Sequence, residues 1–178
     1  GILVQQRENL DTLVRGFYAP SQKRYYARAT LDSVELSALD PLLKGVIEKT
    51  GGNADVDIAL RGSGKEATLS GQIAVRDFTT TVDFTQVTYT MPRAVIEVRN
   101  NHLTAEGVPL YDPEKNEGLF SIDLNLEHLS NISYSVKVLP KELMVLNTTS
   151  KDHDLIYGRI FASGSATIAG SKGGVKMD

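Results

Sequence analysis

Histidine, cysteine and closely set carboxylates are the side chains most often asked to bind metals, move protons or attack a substrate. The chain has three histidines and no cysteine. His102, His128 and His153 each lack a second histidine at i+2 or i+4, so no metal site is expected from their spacing. Asp152-His153-Asp154 is the one tight cluster of carboxylates and imidazole. It lies in the polar run 147–154, where a solvated turn is the reading rather than a ligand set. His128 closes an alternating segment in its apolar phase, as a partly buried, hydrogen-bonded histidine would rather than a base. No Gly-x-Ser-x-Gly elbow, Gly-x-x-x-x-Gly-Lys loop or Gly-x-Gly-x-x-Gly fingerprint occurs. Carboxylates are many, and any two could meet across a cleft as glycosidase pairs do, but spacing alone does not bring them together. A non-enzymatic protein without a cofactor is therefore expected.

The elements that would have to position any site are strands. From Ala54 to Phe78, Val56, Ile58 and Leu60 alternate with Asp55, Asp57 and Arg61. Leu69, Ile73 and Val75 then alternate with Thr68, Ser70, Gln72 and Arg76. This period of two gives each strand one apolar and one polar face, and Gly62-Ser63-Gly64-Lys65 supplies the turn between them. Phe120, Ile122, Leu124, Leu126 and His128 form the longest such run, and Ile132, Tyr134, Val136 and Val138 repeat it. Further strands are expected at 24–29 and 31–39, divided by a turn near Asp32. Others are expected at 80–91 with a bulge near Thr85 or with both faces covered, and at 93–98, 103–108, 141–146 and 156–168. Asn100-Asn101 and the segment 111–116 read as turn and loop.

Two short helices are expected near the N-terminal end. Leu10, Leu13, Val14 and Phe17 fall at i, i+3, i+4 and i+7, which predicts a helix over 8–18. Asp40-Pro41 has the form of an N-cap with proline at the first helical position, and predicts a second helix over 41–50 ended by Gly51-Gly52.

Composition places the chain among globular proteins, with 41% hydrophobic and 23% charged residues in 178 positions, enough for a single domain. Lysine and arginine number 19 against 22 acidic residues. At a net charge of -3 no overall basic field exists to hold nucleic acid, which is not an expected partner. No apolar run approaches the roughly 20 residues that span a bilayer.

The order of several blocks resembles the C-terminal region of the TamB family in its Bacteroidetes form. These blocks are Pro41-Leu42-Leu43-Lys44-Gly45 leading to Gly51-Gly52, Leu69-Ser70-Gly71-Gln72-Ile73-Ala74-Val75, and the Tyr111-Asp112-Pro113 loop. Phe120 to His128, Met144-Val145-Leu146-Asn147-Thr148-Thr149 with Asp152-His153-Asp154, and Tyr157-Gly158-Arg159-Ile160-Phe161-Ala162-Ser163-Gly164 complete the set. Residues 30–178 are covered. The resemblance implies a mainly β fold, an elongated, curved antiparallel sheet folded into a trough with an apolar interior. It also implies that residues 1–178 are one β-rich piece of a larger periplasmic protein, anchored in the inner membrane by a segment elsewhere. A TamA-like outer-membrane partner of the Omp85 type, and lipid or nascent outer-membrane protein as cargo, are implied with it.

The alternating residues then become the expected lining of the trough: Val56, Ile58, Leu60, Leu69, Ile73, Val75, Phe120, Ile122, Leu124, Leu126, Ile132, Tyr134, Val136 and Val138. The other expectation is a closed β-sandwich whose loops work as an adhesion or carbohydrate-binding module, which calls for exposed loop aromatics. Tyr111 is the only aromatic in a clear loop by this reading, which favours the trough.

Overall fold

The computed structural model describes residues 2–9, 12–64, 66–127, 131–151, 157–171 and 174–177, with side chains over 13–64, 66–127, 132–151 and 157–171. The described residues are almost wholly β. Strands β1 (Ile2–Asn9), β2 (Thr12–Ala19), β3 (Arg24–Glu35), β4 (Ile47–Ser63), β5 (Glu66–Val82), β6 (Val87–Arg99) and β7 (His102–Tyr111) come first. They are followed by β8 (Glu117–Glu127), β9 (Asn131–Pro140), β10 (Leu143–Thr148), β11 (Gly158–Ala162), β12 (Ala166–Ser171) and β13 (Gly174–Met177). Eleven strands make one antiparallel sheet in the order β1 to β9, then β12 and β13, while β10 and β11 pair separately. The order is linear and does not close into a barrel. This is the curved antiparallel sheet that the resemblance implies, built from strands that the alternation predicts.

The central hairpin follows the sequence reading. Leu60 pairs with Leu69 and Val56 with Ile73 across β4 and β5. Gly64 takes the positive φ of the turn, while Lys65 lies outside the described residues. Both strands extend well beyond the alternating core of the pattern, to 17 residues each.

Both expected helices are replaced by other structure. Over 8–18 the chain forms the end of β1 and then β2, with Leu10 outside the described residues. Leu13 and Phe17 fall on one face of β2, with Val14 and Tyr18 on the other, so apolar residues on both faces imitate a helical spacing. At 41–50, after a 3-10 turn at Leu36–Leu39, only a helical turn forms, closed by Leu43 N–H to the Leu39 carbonyl at 3.0 Å. Gly45 then adopts a φ of 83° and β4 begins at Ile47. The Asp40 carboxylate accepts from the Thr50 N–H at 3.2 Å, so its capping capacity holds the return of the chain rather than starting a helix.

Several strand boundaries differ as well, including Pro92, through which β6 runs unbroken from Val87 to Arg99. No turn divides the segment 24–39 near Asp32; β3 runs through to Glu35, with a register shift between Leu31 and Val34 and a left-handed Ser33, and 36–39 is a 3-10 turn rather than strand. The phase change near Thr85 is a full hairpin turn at 83–86, closed by Gln86 N–H to the Val82 carbonyl at 2.8 Å, and not a bulge. The segment 156–168 is two strands, β11 and β12, in different sheets; Ile156 lies outside the described residues.

A band of irregularities crosses five neighbouring strands. It comprises Ser33 in β3, Gly51-Gly52 in β4, Asp77 in β5, Pro92 in β6 and Gly107 in β7. Register shifts mark three of these positions, in β3, β4 and β7, and bulges of that kind bend a strand and increase its twist, so the band is the fold line of the sheet. At this line the inward phase of β5 changes, from Ile73 and Val75 to Phe78 and Thr80. Beside it lies the core, where Ala54, Val75, Met91, Ala94, Ala105, Val108, Leu110 and Leu143 are all buried. Leu143 brings β10 onto the sheet here, so β10 covers one end of the apolar face.

Candidate functional site: the apolar face of the sheet

Residues paired directly across antiparallel strands share a face. A single row therefore runs Val14, Ala29, Ile58, Gly71, Val98, Leu103, Leu124, Tyr134 and Gly170, crossing nine strands from β2 to β9 and then β12. One step nearer the fold line lie Val56, Ile73 and Ile96 on one flank, and Ala105, Ile122, Val136 and Ile168 on the other. At about 4.8 Å per strand the row spans roughly 38 Å. No charged residue interrupts it.

All of the residues expected to line the trough lie on this face. The β4–β5 set and the β8–β9 set are each adjacent pairs, Val56 with Ile73 and Phe120 with Val138, Ile122 with Val136, Leu124 with Tyr134, Leu126 with Ile132. The two sets are not neighbours; β6 and β7 stand between them and join them through Ile96, Val98, Leu103 and Ala105. Those linking residues were missed because β6 places apolar side chains on both faces, with Val95 46% exposed on the polar side, which blurs the alternation.

Coverage of the face is graded. Val75 is buried, Ile132 is 51% exposed, and the remaining expected residues are all half-buried. Along β7, Leu110, Val108 and Ala105 are buried while Leu103, farther from β10, is half-buried. The face is thus packed shut beside β10 and mostly half-covered away from it, although Val98 in the middle of the row is 2% exposed. Two tyrosine rings lie over glycines on this floor, Tyr25 over Gly62 and Tyr134 over Gly170, filling the space that a missing side chain leaves.

Asp112 fixes the packed end. It is 2% exposed, and its carboxylate accepts from the Glu114 N–H at 2.8 Å, the Asn116 N–H at 3.0 Å, the Asn116 side-chain amide at 2.8 Å and the Met144 N–H at 2.8 Å. One carboxylate thereby closes the β7–β8 loop and ties it to β10. Tyr89 donates to the Met144 carbonyl at 2.8 Å; burial, and then the charge of Asp112, push its phenol up to about 12. The Tyr111-Asp112-Pro113 motif stands out in the sequence, but a β10 partner 32 residues away has no local signal.

The opposite face is polar and laced with ion pairs. Arg28 meets Asp57 through two hydrogen bonds of 2.6 and 2.5 Å, which raise the Arg28 guanidinium and hold the Asp57 carboxyl below its usual range. Asp55 is lowered by the Ser33 N–H and then by Arg76. His102 lies 2.6 Å from Asp123 on this exposed face, so one histidine that stands alone in sequence has a carboxylate across the strand pair. No nucleophile completes that pair among the contacts of the described residues, and no group of metal-ligating side chains is found among them. His128 and Asp152-His153-Asp154 lie outside the described residues.

The loop-aromatic argument needs correction. Tyr111 ends β7 and is half-buried, whereas Phe84 in the 83–86 turn and Tyr157 outside any strand are 65% and 62% exposed. Exposed aromatics outside strands are therefore present, and their supposed scarcity does not favour the trough. What separates the two architectures is the sheet itself, one broad sheet and a two-stranded ribbon among the described residues rather than two opposed sheets.

No helix of the described residues is long and apolar enough to cross a membrane. No protein-family model matches the chain, and no curated protein and no solved structure matches it.

Proposed function

We propose that the half-covered apolar face is a trough for lipid acyl chains, and that the chain is a non-enzymatic, TamB-like segment acting in the periplasm between the two membranes. The observation that carries this is the uninterrupted apolar row from Val14 to Gly170, left partly uncovered away from β10. Each methylene moved from water onto such a surface contributes about 0.8 kcal/mol. Several in contact hold a chain without a charged anchor, and headgroup selectivity is not expected. The resemblance supports an outer-membrane partner of the TamA-like class and a role in outer-membrane biogenesis or lipid movement between membranes.

A second reading, extended hydrophobic polypeptide as cargo, is supported by the same half-covered apolar row, which suits apolar side chains as well as acyl chains. Native mass spectrometry of the purified chain tests the lipid reading. Phospholipid or fatty-acid adducts that survive gentle activation and disappear in a Leu124→Asp, Val136→Asp variant of unchanged circular dichroism are expected. Unfolding of that variant, with no adduct ever seen on the parent chain, would reject it.

A further inference from the structure

The polar face is not uniform. From Thr12 to Thr30 the chain carries Arg15, Lys23, Arg24 and Arg28 and no Asp or Glu, although the whole chain has a net charge of -3. The β2–β3 hairpin formed by this stretch places Arg15 directly opposite Arg28, and Phe17 opposite Tyr26. Tyr26 is in turn opposite Arg61 of β4. Like charges paired across strands are unfavourable, and Asp57 is the ion-pair partner of Arg28. Phe17 is 43% exposed and stacks on Tyr26 with ring centres 5.8 Å apart. The Arg61 guanidinium lies 5.6 Å from the centre of the Tyr26 ring. Phe17, Arg24, Tyr26 and Arg61 line a shallow depression of about 310 Å³. The next strand in the same row offers only Thr68. A surface that served solubility alone would need neither the opposed arginines nor an exposed aromatic stack between cations.

We infer that this basic and aromatic face of the β2–β3 hairpin docks on an anionic lipid bilayer, with Arg15, Arg24 and Arg61 on lipid phosphates and Phe17 at the headgroup boundary. Charge complementarity selects the occupant. Guanidinium groups bind phosphate oxygens in pairs, and aromatic rings beside cations are the composition of surfaces that rest in the headgroup layer. Arginine stems lie along apolar surface while their heads reach phosphate. The inference is independent of what the trough holds, because these side chains occupy the opposite face of the sheet.

Co-sedimentation with vesicles tests it directly. The chain is expected to sediment with vesicles of phosphatidylethanolamine and phosphatidylglycerol, less so as salt is raised, and not with phosphatidylcholine alone. Each cation near such a surface is worth about fivefold in partitioning, so the triple variant Arg15→Gln, Arg24→Gln, Arg61→Gln should lose about a hundredfold. Removing as many cations elsewhere, by Lys44→Gln, Arg93→Gln and Lys137→Gln, should leave most of the binding. Arg61→Lys, which keeps the charge, should retain it as well. Failure of the parent chain to bind anionic vesicles at low salt would overturn the inference, as would equal losses from the two triple variants. Capture by soluble polyphosphate as tight as by vesicles, with Phe17→Ser without effect, would assign the face to a soluble polyanion instead.

Discussion

Replacing Asp112 should loosen the packed end of the sheet by an amount that the geometry sets. Its carboxylate serves three backbone N–H groups and one side-chain amide. In Asp112→Ala, the N–H groups of Glu114 and Asn116 can turn to water, because their loop is only part-buried, and each loses about 0.5–1 kcal/mol. Met144 is 1% exposed, and its stranded N–H costs about 2 kcal/mol. The sum is about 3 kcal/mol, which for a chain of this size lowers the melting temperature by roughly 6–12 °C. Asp112→Asn separates hydrogen bonding from shape. Its remaining oxygen can serve the loop, but its amide would face the Met144 N–H, a donor against a donor, so it should cost about as much as alanine. Chemical denaturation gives the totals, and hydrogen exchange should show the Met144 amide losing protection first. A loss below about 1 kcal/mol for alanine, or a neutral asparagine, would refute the assignment of Asp112 as the tie between the β7–β8 loop and β10.

Gly71→Ala should destabilise the sheet by more than about 2 kcal/mol, because Gly71 has a φ of 142° and an added Cβ would overlap the Asp57 carbonyl oxygen; thermal melts check it. Leu143→Ala, at a position 1% exposed, should cost about 2–4 kcal/mol in denaturant unfolding, since β10 rests on that side chain. Tyr89 titrates higher folded, at about 12, than its ordinary 10, so its contribution is intact below pH 10 and lost as pH rises through 12. Stability measured across that window should fall by roughly 2–3 kcal/mol in the parent chain. The Tyr89→Phe variant, weaker at neutral pH for want of its bond to Met144, should fall less steeply.

Strand periodicity was readable wherever one face is greasy and the other wet, as at Val56 to Leu60 and Phe120 to Leu126, and there face assignment follows from alternation alone. It failed where both faces carry apolar groups. Val14 and Tyr18 face the trough while Leu13 and Phe17 lie on the other side, and their combined spacing imitates a helix. Asp40 and Pro41 carried a real capping signal, but Gly45 and the β-branched pair Val46 and Ile47 turned the chain into β4 after one turn. The joining of the two expected patches through β6 and β7, and the tie from Asp112 to Met144, depend on long-range pairing that no local pattern encodes.

The trough is tested most directly by moving a photoreactive residue one position along a strand, since a single step reverses its face. Benzoylphenylalanine placed at Leu124 or Tyr134 faces the apolar row, and at Asp123 or Ser135 it faces the polar side. After irradiation with phospholipid vesicles, mass spectrometry should find acyl-chain adducts at 124 and 134 and essentially none at 123 and 135. Adducts of equal yield on both faces, or none at 124 and 134 in a folded chain, would contradict the trough.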